Sequence, residues 1–139
     1  MNETSRMTAR AIILHAGCLL TCQSPPESFL VLPGGGVERG ETPEGALRRE
    51  IREELRYDLS AVTKLGIQDS HWQHQETGER IHEHMHLYAA ALQGKIRGGV
   101  LRGDESWNFG QWVPVGDLIE RQLMPREALL WLKRYPWKL

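Results

Sequence analysis

Residues 34–57 constrain the fold of this chain more than any other stretch. Three consecutive glycines, Gly34, Gly35 and Gly36, lead into a segment with helical periodicity. Thr42 followed by Pro43 is a helix start, with threonine as N-cap and proline at the first helical position. Glu44 falls in the first turn, where the helix dipole favours it. Ala46, Leu47, Ile51 and Leu55 recur at helical spacing and form an apolar stripe. Glu50, Glu53 and Glu54 sit together around the helix from that stripe, since residues three and four apart are neighbours at about 3.6 residues per turn. Like charges so placed repel. A solvated charged face is one reading. The other is a hard divalent cation held by oxygen ligands, which reverses the sign of the repulsion. The glycines favour the second, because they let the backbone approach closely and present carbonyl and amide groups to a metal or phosphate. The simplest reading is a magnesium site that works on phosphates.

The segment GGVERGETPEGALRREIREELRY, from Gly35 to Tyr57, resembles the Nudix box, G-x5-E-x7-R-E-U-x-E-E-x-G-U with U aliphatic. Gly35 matches the first glycine and Glu41 the following acid. Arg49-Glu50-Ile51 matches R-E-U, and Glu53-Glu54 matches the paired acids. Two positions depart: Arg56 replaces the glycine and Tyr57 the aliphatic residue. An αL conformation at Arg56 costs roughly 1 kcal/mol relative to glycine, so the helix end is expected to shift slightly. The WVPVGDL segment near the end resembles the family's last strand and the turn after it. The resemblance implies an α/β/α sandwich with a mixed sheet, and hydrolysis of a diphosphate linkage with Mg2+, or Mn2+ in its place. It implies Glu53 and Glu54 as principal ligands, with a Gly34 carbonyl and Glu50 beside them. Glu50, Glu53 and a carboxylate from a later loop are candidates for the base. Glu105 is the candidate for that outside carboxylate, with Asp104 and Glu83 behind it. Arg49 is expected to pair with Glu41 or a box glutamate and orient it.

With 139 residues, one domain over 1–139 is the natural count, and that length buries a core without staples. A net charge of -1 gives no electrostatic case for bulk nucleic acid or membrane as partner. The start, MNETSRMTAR, lacks the apolar run of a secretory signal, and no stretch reaches membrane-spanning length. If 18–22 is a strand, Cys18 and Cys22 stand about 13 Å apart, beyond the roughly 7 Å limit of a disulfide. They read as small buried hydrophobes in a cytoplasmic protein. A homodimer is compatible with the sequence.

Residues 9–14 and 17–22 read as strands around a turn at 15–17. A loop over 23–27 precedes a buried strand over 29–32, and Gly34–Gly36 reads as a loop. Residues 61–72 and 80–92 read as strands about a Thr77-Gly78 turn. A mobile loop is expected over 94–104, and a short strand over 111–115. One helical turn over 117–121 precedes a last helix after Pro125, with Ala128, Leu129 and Leu132 inward.

His82, His84 and His86 alternate and share a strand face, with His71 and His74 nearby. Alternating histidines bind zinc, but a polar face lining the cleft or facing solvent fits better, because a diphosphate site needs hard oxygen ligands. One of them, His84, is a candidate for a leaving phosphate. Trp72, Trp107 or Phe109 could stack a nucleobase, while Trp112, Trp131 and Trp137 read as packing residues. The substrate is then a small diphosphate, a nucleotide by preference. It could be a nucleoside triphosphate, a nucleotide sugar, a dinucleoside polyphosphate or a non-nucleotide diphosphate. A non-catalytic nucleotide sensor on the same fold is the competing reading. Loss of box carboxylates would mark it, and all are present.

Overall fold

Alternation organises the sheets. The computed structural model describes residues 3–74 and 76–134. In it the first strand, β1 (Glu3–Ile12), sends Ala9 and Ala11 to one face and Thr8, Arg10 and Ile12 to the other. Leu14–His15 (β2), Cys18–Gln23 (β3), Leu30–Val31 (β4) and Gly34–Gly36 (β5) follow. Helix α1 spans Pro43–Leu55, and the long strands β6 (Leu59–Gln73) and β7 (Arg80–Leu92) come next. Then come β8 (Phe109–Pro114), a 3₁₀ turn at Val115–Asp117, β9 (Leu123–Met124) and helix α2 (Glu127–Arg134).

There are two sheets rather than the single one expected. The first runs β5-β1-β7-β6, with β1 and β7 parallel and the other neighbours antiparallel. The second runs β2-β3-β4-β9, and β8 pairs with β3. One apolar core gathers Ala9, Ala11, Ile13 and Leu20 against Ala46, Leu47, Ile51 and Leu55 of α1. The other gathers Ile12, Leu19, Leu30, Met85, Leu87 and Val113 against Ala128 and Trp131 of α2. The sheets therefore lie between two helices, the α/β/α arrangement that the box implies.

Several expectations are corrected. Gly34–Gly36 is a strand antiparallel to β1, with Arg10 opposite Gly34, and not a free loop. The strand expected over 29–32 is confined to Leu30–Val31. Segment 94–108 is pinned rather than mobile. The Tyr57 hydroxyl donates to the Lys95 carbonyl at 2.8 Å and accepts from the Arg97 amide at 2.8 Å. Leu101 is buried and bridges to Gly110, and Asp104 N–H donates to the Glu53 carbonyl at 2.6 Å. Tyr57, a departure from the box pattern, thus anchors the loop that follows β7. In α2, Trp131 and Ala128 are buried, whereas Leu129 and Leu132 are only partly covered. Trp112 packs against the α1-side core. Trp137 lies outside the described residues. No helix among the described residues is long and apolar enough to cross a membrane. Cys18 and Cys22 are free, and Cys22 is buried.

The helix end did not shift to spare Arg56. Arg56 itself takes φ 57°, ψ 43°, and its N–H caps the Arg52 carbonyl. Its side chain pairs with Asp104 at 3.2 Å, with both partners well exposed, so the pair contributes little. Arg56→Gly should therefore stabilise the fold by about 1 kcal/mol, seen as a rise of roughly 3–5 °C in Tm. An unchanged or lower Tm would mean that the Asp104 pair outweighs the backbone term.

Candidate active site

Helix α1 sets the acids. Thr42 Oγ1 accepts from the Gly45 N–H at 3.0 Å and fixes the helix start. The apolar stripe then locks the rotation about the helix axis. Glu50, Glu53 and Glu105 each bring a carboxylate oxygen to one place, all within 4.8 Å of one another. Glu105 reaches it from the segment after β7. Gly103 is what permits this: a Cβ there would stand 2.0 Å from the Glu53 carbonyl oxygen. No Cβ tolerates that distance, so the loop lies flat on the last turn of α1 and delivers Glu105 beside the helix. Gly35 works the same way on the other flank, where a Cβ would meet the Glu50 carboxyl at 2.7 Å.

Glu54 sits behind the cluster, buried against the glycine strand, and its Oε1 accepts from the Gly34 N–H at 3.1 Å. Burial pushes its carboxyl up to about 8, against the pull of that N–H. Glu50 is also raised, by burial first, with Arg49 opposing. A bound cation would offset the burial cost of both carboxylates, Glu50 being met in the protein by Arg49 at 3.1 Å. The donor set suits a hard divalent ion: carboxylate oxygens only, with no cysteine or histidine in the cluster. The Arg49 guanidinium is bidentate on Glu41, Nε to Oε2 at 2.7 Å and Nη2 to Oε1 at 2.9 Å. Its Nη1 reaches Glu50 at 3.1 Å and Glu53 at 3.3 Å, and its Nη2 reaches the Gly36 carbonyl at 3.1 Å. Glu41 is held down to about 2 by Arg49 and by the Glu38 N–H. Arg49 is thus a hub that orients two cluster carboxylates. No hydrogen bond to Glu105 is seen among the described residues.

A cavity of about 320 Å³ opens beside Glu54 and Gly34. Arg6, Phe29, Trp72, His74 and Trp107 line it, and Arg10 forms part of its wall. Arg10 is buried and bonds Glu83 at 2.7 Å and the Leu32 carbonyl at 2.9 Å. Glu83 also accepts from Thr8 at 2.6 Å and Trp72 Nε1 at 3.1 Å. It is a wall strut and is not free to act as the outside carboxylate. Asp104 is likewise engaged, by Arg56, so Glu105 alone of those three candidates joins the cluster.

The histidine expectation fares differently. His82 and His84 face Asp69, at 3.1 and 2.7 Å, on the opposite side of β7 from Glu83. The structure does not bring His84 to the cavity; His74 is the histidine there. His86 is buried against Lys64, Nδ1 to Nζ at 2.9 Å. Trp72 and Trp107 line the cavity and Phe109 does not. Arg6, Glu27 and Phe29 were missed. Arg6 lies in a segment that reads as merely polar, and the other two lie in the loop between β3 and β4, whose neighbours are set only by tertiary pairing. A larger groove, about 640 Å³, runs from Trp72 to Lys133 along α2, away from the acids.

The NUDIX domain model matches residues 4–135. This chain belongs to the Nudix family. Its similarity to curated Nudix proteins is local. Nucleoside triphosphatase NudI from Enterobacter sp. (strain 638) is 43% identical over 65 residues, covering 42% of this chain and 46% of that protein. NudI from Salmonella newport (strain SL254) aligns with the same figures. The chain spans less than half the length of these curated relatives. The MutT NUDIX hydrolase structure from Burkholderia pseudomallei superposes with a TM-score of 0.60 at 29% identity, over 84% of this chain and 88% of that one. A NUDIX hydrolase from Nitrosomonas europaea gives 0.68 at 17% identity, over 95% and 88%, which shows a shared Nudix fold.

Proposed function

We propose that this chain is a Nudix hydrolase, with its described residues working as one domain, that cleaves the diphosphate linkage of a nucleoside diphosphate derivative. A nucleoside triphosphate is the first choice of substrate. The observation that carries the reading is the convergence of Glu50, Glu53 and Glu105 beside a cavity lined by Glu54, two arginines and several aromatic rings. The names of the NudI relatives point the same way. The free cysteines suit a reducing compartment such as the cytoplasm.

Glu50, Glu53, Glu54 and Glu105 would hold Mg2+, with the Gly34 carbonyl available from the adjacent strand. When bound there, the ion neutralises charge on phosphate oxygens and acidifies a water. Arg49 fixes the carboxylates of Glu50 and Glu53, so little reorganisation is needed as charge develops. In hydrolysis a water oxygen bonds to phosphorus, the bridging P–O bond breaks, and the water gives up a proton. With one oxygen toward the ion, Glu105 keeps its second oxygen for that proton, whereas Arg49 also engages Glu50 and Glu53. Arg6, on the cavity wall, offers a guanidinium to the phosphate that leaves.

The test is turnover of a panel of nucleoside triphosphates, nucleotide sugars and dinucleoside polyphosphates, followed by phosphate and pyrophosphate release. Activity with Mg2+, loss on chelation and return on re-addition are expected. No turnover of any member would reject the hydrolase reading.

A further inference from the structure

The loop between β3 and β4 holds a carboxylate that the chemistry above does not use. Glu27 is tied down: its N–H donates to the Ser24 carbonyl at 3.0 Å, and its own carbonyl accepts from Gln23 Nε2 at 3.1 Å. Its side chain is 12% exposed and lines the cavity beside Glu54. His74 Nδ1 lies 3.1 Å from Glu27 Oε1. Oε2 is shielded from bulk water and has no hydrogen-bond partner among the described residues. A buried acceptor left unpaired is costly, and one at a cavity wall is relieved by a ligand that brings a donor.

The rings around this pair suit a flat heterocycle. Phe29 meets Trp72 edge-on at 5.6 Å between centroids, and Trp72 meets His74 at 4.9 Å. Trp107 lines the same cavity and is 60% exposed. Stacking on such rings tolerates any base, since each has a π-face. Selection falls to the polar groups, and beside these rings Glu27 Oε2 is an acceptor left without a partner among the described residues, while the Arg6 guanidinium on the same cavity wall is offered to the phosphate. Adenine, cytosine and guanine carry an exocyclic amine that donates. Uracil presents two carbonyls around its one ring N–H, and a carbonyl set against a carboxylate repels.

We propose that Glu27, held by His74, is a specificity-determining residue that selects amino-bearing nucleobases over uracil. This rests on the cavity being the nucleotide site. Calorimetric titration of the whole chain with AMP, CMP, GMP and UMP in Mg2+ tests it without turnover. UMP should bind at least about tenfold more weakly than the other three. In Glu27→Gln, whose amide donates to a carbonyl, that gap should close to about twofold. UMP binding on a par with the others in the wild type, a gap that survives in the variant, or no binding by any monophosphate would overturn the inference. The wild-type ranking decides the matter if the variant does not fold. Triphosphate turnover without base preference would sink the inference and leave the hydrolase reading standing. Ranked monophosphate binding with no triphosphate turnover would do the reverse.

Discussion

Glu54→Gln should lower turnover by about 10³-fold or more while leaving the cation-free fold as stable as the wild type, or more so. The two outcomes have one cause. Glu54 is buried and forms no salt bridge among the described residues, and burial raises its carboxyl to about 8 although the Gly34 N–H and the Arg10 charge oppose it. Glutamine keeps the oxygen that accepts from Gly34 N–H and removes the charge. The sign of the pH dependence follows by linkage. A carboxyl whose folded value lies above its unfolded one, about 4.3, favours the fold most at low pH. Its contribution then falls as pH rises from that value through 8. Cation-free wild type should lose Tm between about pH 5 and 9, and Mg2+ should restore it. Glu54→Gln should show neither the fall nor the restoration. A variant that keeps wild-type turnover would remove Glu54 from the site. A variant that loses activity through a lower Tm would make Glu54 a packing residue.

Arg10→Ala should destabilise the protein by about 3–5 kcal/mol, a Tm loss of roughly 10 °C or more, because it strands Glu83 in the interior. Glu83 is 1% exposed and held down to about 2, with Arg10 its strongest charge partner and Thr8 and Trp72 as further donors. Here the linkage runs the other way. A depressed carboxyl stabilises the fold fully above its unfolded value, about 4.3, and the contribution is lost as pH falls through 2. Acid unfolding should begin in that window for the wild type, whereas Arg10→Ala should be unstable at neutral pH. A paired replacement, Arg10→Met with Glu83→Leu, should recover much of the stability, since neither charge is then left alone. Equal losses in the single and paired variants would show that the cavity wall depends on shape and not on the ion pair.

The acidic helix was legible because its information is local. Cap, stripe and carboxylates all lie within α1, and helical spacing converts sequence distance directly into position. Glu41 lies outside α1, and the pairing of Arg49 with Glu41 or a box glutamate was legible through the Nudix box resemblance rather than from helical spacing. The glycine strand was not, because Gly34–Gly36 becomes a strand only by pairing with β1, a partner chosen by tertiary structure. Nor was the pinning of segment 94–108, since the Tyr57 contacts and the close approach of Gly103 to α1 join residues far apart in the chain. Glu105 shows both sides. Its residue type and loop position marked it as a candidate, but only the flat lie of Gly103 brings it to Glu50 and Glu53. His84 shows the limit of alternation. A shared face is predictable, but which face meets the cavity is decided by Arg10 on the neighbouring strand drawing Glu83 inward.

The central claim is that Glu50, Glu53, Glu54 and Glu105 converge to hold a divalent cation. Titration with Mn2+, followed by the loss of the free-ion electron paramagnetic resonance signal, tests it most directly. The wild type should bind the ion, with Mg2+ competing, and Glu53→Gln and Glu105→Gln should each weaken binding by about tenfold or more. Wild-type binding no tighter than that of Glu53→Gln would contradict the account.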